Sequence, residues 1–156
     1  MLQMCLPMCN APRWGLLTDN RKCVEVCPQG YWGELTNRTC TNNSTNCGSL
    51  YADNATRTCV AAASCSYGFF ADNTTKRCVP YCPEGSFAHP ITKICQLRCG
   101  SPYFADDGLN MCVDACNTTG TYADVDSNRS CVTVCNKLGT TPWADESVRR
   151  CVSDCN

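Results

Sequence analysis

The chain has 156 residues and a formal net charge of −1, with 13 Lys+Arg against 14 Asp+Glu. That balance excludes both the basic surface that nucleic acid or an acidic membrane face selects and the one-signed charge that keeps a chain unfolded. Leu, Ile, Val and Phe number 25, about 16% of the chain and below the ~20% of a self-supporting core, while 18 residues are cysteine, so cross-links must replace much of the missing buried area.

The cysteines fall in nine pairs, seven of them C-x3-C, with Cys40/Cys47 and Cys59/Cys65 stretched. Between them lie eight segments of one pattern: an aromatic, a small residue, usually an acid, and a base two residues before the closing cysteine. In chain order, segment 9–23 carries Trp14-Gly15 and Arg21, and 27–40 carries Trp32-Gly33-Glu34 and Arg38. Segment 47–59 has Tyr51-Ala52-Asp53 and Arg57, and 65–78 has Phe70-Ala71-Asp72 and Lys76. In 82–95 they are Phe87-Ala88-His89 and Lys93, and in 99–112 Phe104-Ala105-Asp106, with Asn110 in place of the base. Segments 116–131 and 135–151 close the series with Tyr122-Ala123-Asp124 and Arg129, then Trp143-Ala144-Asp145 and Arg149.

No segment has apolar residues at helical spacing, and Gly, Asn, Asp and Thr interrupt every run. An aromatic and a small residue, then an acid, then Thr and a base predict strand, turn, strand. The fold class is therefore small, disulfide-rich and all-β or irregular: tandem short hairpins stacked into an elongated rod. Residues 1–156 form one continuous array of eight repeats, expected to belong to a longer chain or filament. The acid is expected to open each turn by accepting backbone N–H bonds. The base should pair with it across the turn, as Arg57 with Asp53, at roughly 0–1 kcal/mol for an exposed pair. The aromatics read as one miniature core per repeat.

Three cysteine pairings are open. The first closes each hairpin: Cys9–Cys23, Cys27–Cys40, Cys47–Cys59, Cys65–Cys78, Cys82–Cys95, Cys99–Cys112, Cys116–Cys131 and Cys135–Cys151. Each bond then closes a loop contributing ~3 kcal/mol in the chain-entropy description. The second interlocks neighbours, as Cys5–Cys23 with Cys9–Cys27; the third bonds within each C-x3-C and leaves every segment without a cross-link. Under the first, Cys5 and Cys155 have no partner in the chain, so end-to-end self-association or continuation of the array is expected there.

The runs Cys23-Val24-Glu25-Val26-Cys27-Pro28-Gln29-Gly30 and Cys78-Val79-Pro80-Tyr81-Cys82-Pro83-Glu84-Gly85 resemble growth-factor-receptor cysteine-rich (furin-like) repeats. Residues 51–60 and 70–79 resemble the arrays of ciliate and other protist surface proteins. The resemblance covers essentially the whole chain and implies single-disulfide modules, each a bowed loop closed as in the first pairing.

Sequons at Asn37, Asn42, Asn43, Asn54, Asn73, Asn117 and Asn128 make N-linked glycans the expected modification. With the cysteines they point to a secretory, extracellular or cell-surface location. No signal-peptide pattern or membrane-length apolar run is visible, so direct membrane insertion is not expected. Metal and cofactor chemistry find no frame: there is no C-x2-C, and a single histidine, His89, stands where other copies carry an acid. Asp124-Val125-Asp126-Ser127-Asn128 begins like a calcium loop but lacks its Gly and final Glu. One histidine cannot furnish a nucleophile–base–orienter set, and a disulfide oxidoreductase would need a reactive C-x2-C thiol. The chain reads as a non-enzymatic stalk, coat or filament segment, very roughly 80 Å long at ~10 Å per layer. The alternative is a receptor-type or antigen ectodomain binding a protein ligand, with Val60 to Phe70 as its candidate surface.

Overall fold

The computed structural model describes residues 9–16 and 22–154. Cys5, Cys155 and Arg21 lie outside them. The strand ladder divides into two sheets of eight strands, in two compact units, Met1–Pro80 and Tyr81–Asn156.

The first unit contains four antiparallel hairpins: β1 (Trp14–Leu16) with β2 (Lys22–Val24), β3 (Trp32–Glu34) with β4 (Thr39–Thr41), β5 (Tyr51–Asp53) with β6 (Thr58–Val60), and β7 (Phe70–Asp72) with β8 (Arg77–Val79). The second contains β9 (Phe87–Ala88) with β10 (Cys95–Gln96), β11 (Phe104–Asp106) with β12 (Met111–Val113), β13 (Tyr122–Asp124) with β14 (Ser130–Val132), and β15 (Trp143–Asp145) with β16 (Arg150–Val152). Short 3₁₀ turns at Ser44–Cys47 and Ala62–Ser64 fill the two stretched linkers.

The repeat pattern sets the register. In each three-residue strand pair the small residue faces the closing cysteine, as Gly15 faces Cys23 and Ala105 faces Cys112. The aromatic faces the residue after that cysteine, so Tyr51 meets Val60 and Phe104 meets Val113. Successive hairpins then join in parallel, the first strand of one against the second strand of the next: β1 with β4, β3 with β6, β5 with β8, β9 with β12, β11 with β14 and β13 with β16. The strand orders are β2-β1-β4-β3-β6-β5-β8-β7 and β10-β9-β12-β11-β14-β13-β16-β15.

Eight disulfides each close one hairpin: Cys9–Cys23, Cys27–Cys40, Cys47–Cys59, Cys65–Cys78, Cys82–Cys95, Cys99–Cys112, Cys116–Cys131 and Cys135–Cys151. Their sequence separations run from 12 to 16 residues.

The core is not one miniature cluster inside each repeat. Each cluster combines the aromatic of one hairpin with the disulfide of the next. Trp14 packs with Cys27 and Cys40, Trp32 with Cys47, Cys59 and Ala52, and Phe87 with Cys99, Cys112 and Ala105. Phe104 packs with Cys116, Cys131 and Ala123, and Tyr122 with Cys135 and Cys151. These five rings pack on the neighbouring hairpin, so stability arises between neighbours. Among the described residues no helix is long and apolar enough to cross a membrane.

Candidate functional site

The recurring geometry of the chain is the junction between hairpins, found six times within the two sheets. It begins with the turn. The acid accepts a backbone N–H two residues on: Ala55 to Asp53, Thr74 to Asp72, Gly108 to Asp106, Asp126 to Asp124 and Ser147 to Asp145, all at 2.8–2.9 Å. Glu34 does the same for Thr36 and Asn37. His89 Nδ1 takes the amides of Ile91 and Thr92 at 3.2 Å, which makes it a turn acceptor in the acid's position.

The base plays a different part from a salt-bridge partner of the acid. Arg57 does not bond to Asp53; its Nη1 donates to the Cys27 carbonyl in the preceding hairpin at 3.2 Å. Asp53 is fully buried and accepts from Ala55 N, Ser66 N and Ser66 Oγ. Arg13 forms an exposed ion pair with Glu25 at 3.8 Å.

The base position is instead the left-handed residue that closes the turn. Arg38, Arg57, Lys76, Lys93, Asn110, Arg129 and Arg149 all have φ between 51° and 57°. That backbone turns the carbonyl toward the previous hairpin, where it accepts the amide of the small residue. The bonds are Gly15 to Arg38, Gly33 to Arg57, Ala52 to Lys76, Ala88 to Asn110, Ala105 to Arg129 and Ala123 to Arg149, at 2.7–3.1 Å.

The side chain at this position also reaches back. Arg38 lies over the Trp14 ring at 4.7 Å, Lys76 over Tyr51 at 5.0 Å and Arg129 over Phe104 at 4.5 Å. Arg129 donates to the Tyr103 and Pro102 carbonyls, Arg149 to Thr118, and Asn110, with a shorter reach, to Cys82. The ring's polar atom reaches forward to the next turn. Trp32 Nε1 donates to Asn54 Oδ1 at 3.1 Å, Tyr51 Oη to Asn73 Oδ1 at 2.5 Å, and Tyr122 to Glu146.

The small residue is small because the preceding ring lies on it. A Cβ at Gly33 would sit 2.6 Å from Trp14 ring atoms. Acids join the junction too: Thr118 Oγ1 donates to Asp106, and Thr140 and Thr141 donate to Asp126.

These bonds set the carboxyl titrations. Burial works to raise the Asp72 pKa, but the Thr75 hydroxyl and the Thr74 and Thr75 amides outweigh it and hold it below the ordinary value. Glu34 is lowered in the same way, its burial outweighed by the Asn37 and Thr36 amides. The Thr140 hydroxyl lowers Asp126, the Ser147 hydroxyl lowers Asp145, and the bond to Glu146 raises Tyr122.

All seven sequon asparagines, Asn37, Asn42, Asn43, Asn54, Asn73, Asn117 and Asn128, are exposed. Asn54 and Asn73 engage their oxygen in the junction, not the nitrogen that carries a glycan. At the overlapping pair, Ser44 Oγ is buried and donates to the Thr75 carbonyl, while Asn43 Oδ1 accepts from Thr45. A cleft of about 500 Å³ beside Trp32 is walled by junction residues, among them Asn54, Arg57 and Arg77, whose guanidinium lies over the Trp32 ring at 4.7 Å.

Comparison with protein-family models, with curated proteins and with solved structures yields no match to this chain. The chain is a cysteine-rich array of tandem, disulfide-closed hairpins. Many of its polar side chains join neighbouring hairpins, and among the described residues no three His, Cys, Asp or Glu gather to hold a metal ion.

Sequence reasoning found the disulfide loops and the turn acids but missed the backbone role of the base. One signal was present: Asn110 replaces the base in the sixth copy, and Asn is the non-glycine residue most at ease in the left-handed region.

Proposed function

We propose that this chain is a structural segment of an extracellular glycoprotein, related to furin-like cysteine-rich arrays, that serves as a stalk, coat or filament component and is not an enzyme. The observation that carries the reading is the junction: ring on neighbouring disulfide, small-residue amide on left-handed carbonyl, repeated with one chemistry. A surface built to bind a small molecule or to do catalysis would need side chains released from that task. The density of disulfides belongs to an oxidising environment, which supports a secreted or surface-displayed location. Seven exposed sequons support glycan attachment along the array.

A second reading, a receptor-type or antigen ectodomain, has one observation in its favour. Tyr67, within the Val60 to Phe70 segment, is 99% exposed beside the Ala62–Ser64 turn. Tyr67→Ala abolishes capture of a protein ligand if that reading is right, and leaves the hairpins intact.

Mass spectrometry of the protein secreted from a glycosylating host, without reduction, tests the first reading. The expected map has eight within-hairpin disulfides and hexosamine-bearing sequons. Reduced cysteines, or a chain retained inside the cell without glycans, would overturn it.

A further inference from the structure

One ring in the first unit is covered out of turn. At three other junctions a base reaches back by one hairpin: Arg38 covers Trp14, Lys76 covers Tyr51 and Arg129 covers Phe104. Trp32 is covered from two hairpins on, by the Arg77 guanidinium at 4.7 Å. Arg57, whose position would supply that cover, instead donates through Nη1 to the Cys27 carbonyl. Two guanidiniums therefore line the cleft beside Trp32.

Arg77 is also released from the junction hydrogen bonds. Its side chain makes no hydrogen bond or ion pair among the described residues, so all five of its N–H donors lack a protein acceptor. Arg57 spends one of its five on Cys27. Their charge is not cancelled locally, because among the described residues no acid lines the cleft. The acids of the same two hairpins, Asp53 and Asp72, are buried and accept from Ala55, Ser66, Thr74 and Thr75. Two clefts of the second unit have the reverse character. Asp114 lines the one beside Tyr103, Asp106 and Asp107 line the one beside Thr121, and neither has a base among its described residues.

The rest of the wall suits hydroxyl groups. Gln29, Asn42 and Asn54 are exposed and bring three side-chain amides, each with two N–H donors and a carbonyl acceptor. Trp32, only 3% exposed, is the floor: its Nε1 holds Asn54 Oδ1 and its ring seats Arg77. The volume, about 500 Å³, lies in the range of small-ligand sites and takes one or two sugar rings.

We propose that this cleft binds an acidic saccharide, its carboxylate or sulfate held by Arg57 and Arg77 and its hydroxyls by Gln29, Asn42 and Asn54. A guanidinium matches either anion with two parallel N–H bonds, and a floor that seats Arg77 and Asn54 in advance reduces the ordering needed on binding. The three amides favour a saccharide over an acidic peptide, whose side chains present carboxylates without ring hydroxyls. Asn42 and Asn54 are sequon residues, so a glycan at either stands in the mouth, and the open site belongs to a chain unmodified there. The inference adds a ligand to the structural reading and needs only the oxidised fold.

The test is titration calorimetry on the full, oxidised chain from a host that adds no glycans, at ~0.15 M salt. A galacturonate tetrasaccharide and a heparin-derived tetrasaccharide serve as probes, which tells carboxylate from sulfate. At least one binds saturably, one per chain, and neutral chitotetraose does not. Arg77→Thr and Arg57→Asn each weaken binding about tenfold. The repeat already carries both residues at these places. Thr39 and Thr58 stand where Arg77 does, and Asn110, with the same φ of 54° as Arg57, donates to Cys82 as Arg57 does to Cys27. Arg150→Thr removes the same charge from the equivalent position of the last hairpin and leaves the affinity unchanged. In proton–nitrogen NMR spectra the Trp32 indole signal moves with added saccharide while that of Trp143 stays, which locates the site without any variant. No binding of either probe, variants that bind as wild type does, an equal loss from Arg150→Thr, or an unmoved Trp32 signal overturns the proposal. A tetraglutamate peptide that binds as tightly as the saccharides overturns its ligand class. With the eight disulfides intact, each of these failures removes this inference alone; reduced cysteines would remove the structural reading.

Discussion

Replacing Phe104 by alanine separates a core shared between hairpins from a core inside each one. Phe104 is 3% exposed and lies on Cys116, Cys131 and Ala123 of the following hairpin, with the Arg129 guanidinium 4.5 Å from its ring centre. Truncating a buried Phe to Ala costs about 3–5 kcal/mol through lost transfer energy and the cavity left behind. Losing the cation–ring contact adds ~0.5–1 kcal/mol. Because the ring floors the next hairpin, the loss falls on the opening of residues 116–131 as much as on 99–112. The assay is native-state amide exchange read by mass spectrometry with the disulfides intact. Every 1.4 kcal/mol is tenfold, so protected amides in 116–131, including Ala123, exchange roughly 300- to 20,000-fold faster. Hairpin 82–95, which does not rest on Phe104, keeps its protection. Acceleration confined to 99–112, or below about tenfold in 116–131, would show that the ring serves its own repeat and refute the shared core.

The left-handed backbone makes a second prediction. Lys76 has φ 56° and lies over the Tyr51 ring; Lys76→Val and Lys76→Asn both lose that ring contact, but only Val brings a β-branched side chain to the left-handed backbone where Asn is at ease, so thermal unfolding ranks Lys76→Val below Lys76→Asn by about 1 kcal/mol. A third concerns acid. The folded-state pKa of Asp72 lies below its unfolded value, so its contribution to stability is complete above about pH 4 and drains away as pH falls through the folded pKa. Denaturant unfolding from pH 6 downward follows that decline, and Asp72→Asn flattens it while lowering stability at pH 6.

The sequence exposed much of this architecture because two of its constraints are local. A disulfide closing 12 to 16 residues needs only the cysteine spacing to be guessed, and an Asx-type turn needs only Asp53 and the residues just after it. The junction was hidden because its contacts join residues a dozen or more apart whose chemistry looks local. Trp32 and Asn54 are 22 apart, Arg57 and Cys27 are 30 apart, and Arg129 and Tyr103 are 26 apart. An acid and a base in one turn suggest each other as partners, and only the three-dimensional ladder shows each turning to a different neighbour. Gly33 was equally opaque. Only the folded chain shows the Trp14 ring occupying the space of its missing Cβ.

The within-hairpin disulfides also determine how the chain carries a pull. Tension entering at Cys27 passes through sulfur to Cys40, crossing a Cα–Cα distance of 5.6 Å, and bypasses the turn between them. An ordinary C-x3-C linker then adds at most ~14 Å, against ~65 Å for an uncrosslinked run of 18 residues drawn straight. Each repeat thus behaves as a short-throw strap, and its turn, with Asn37 at the surface, rides outside the line of force.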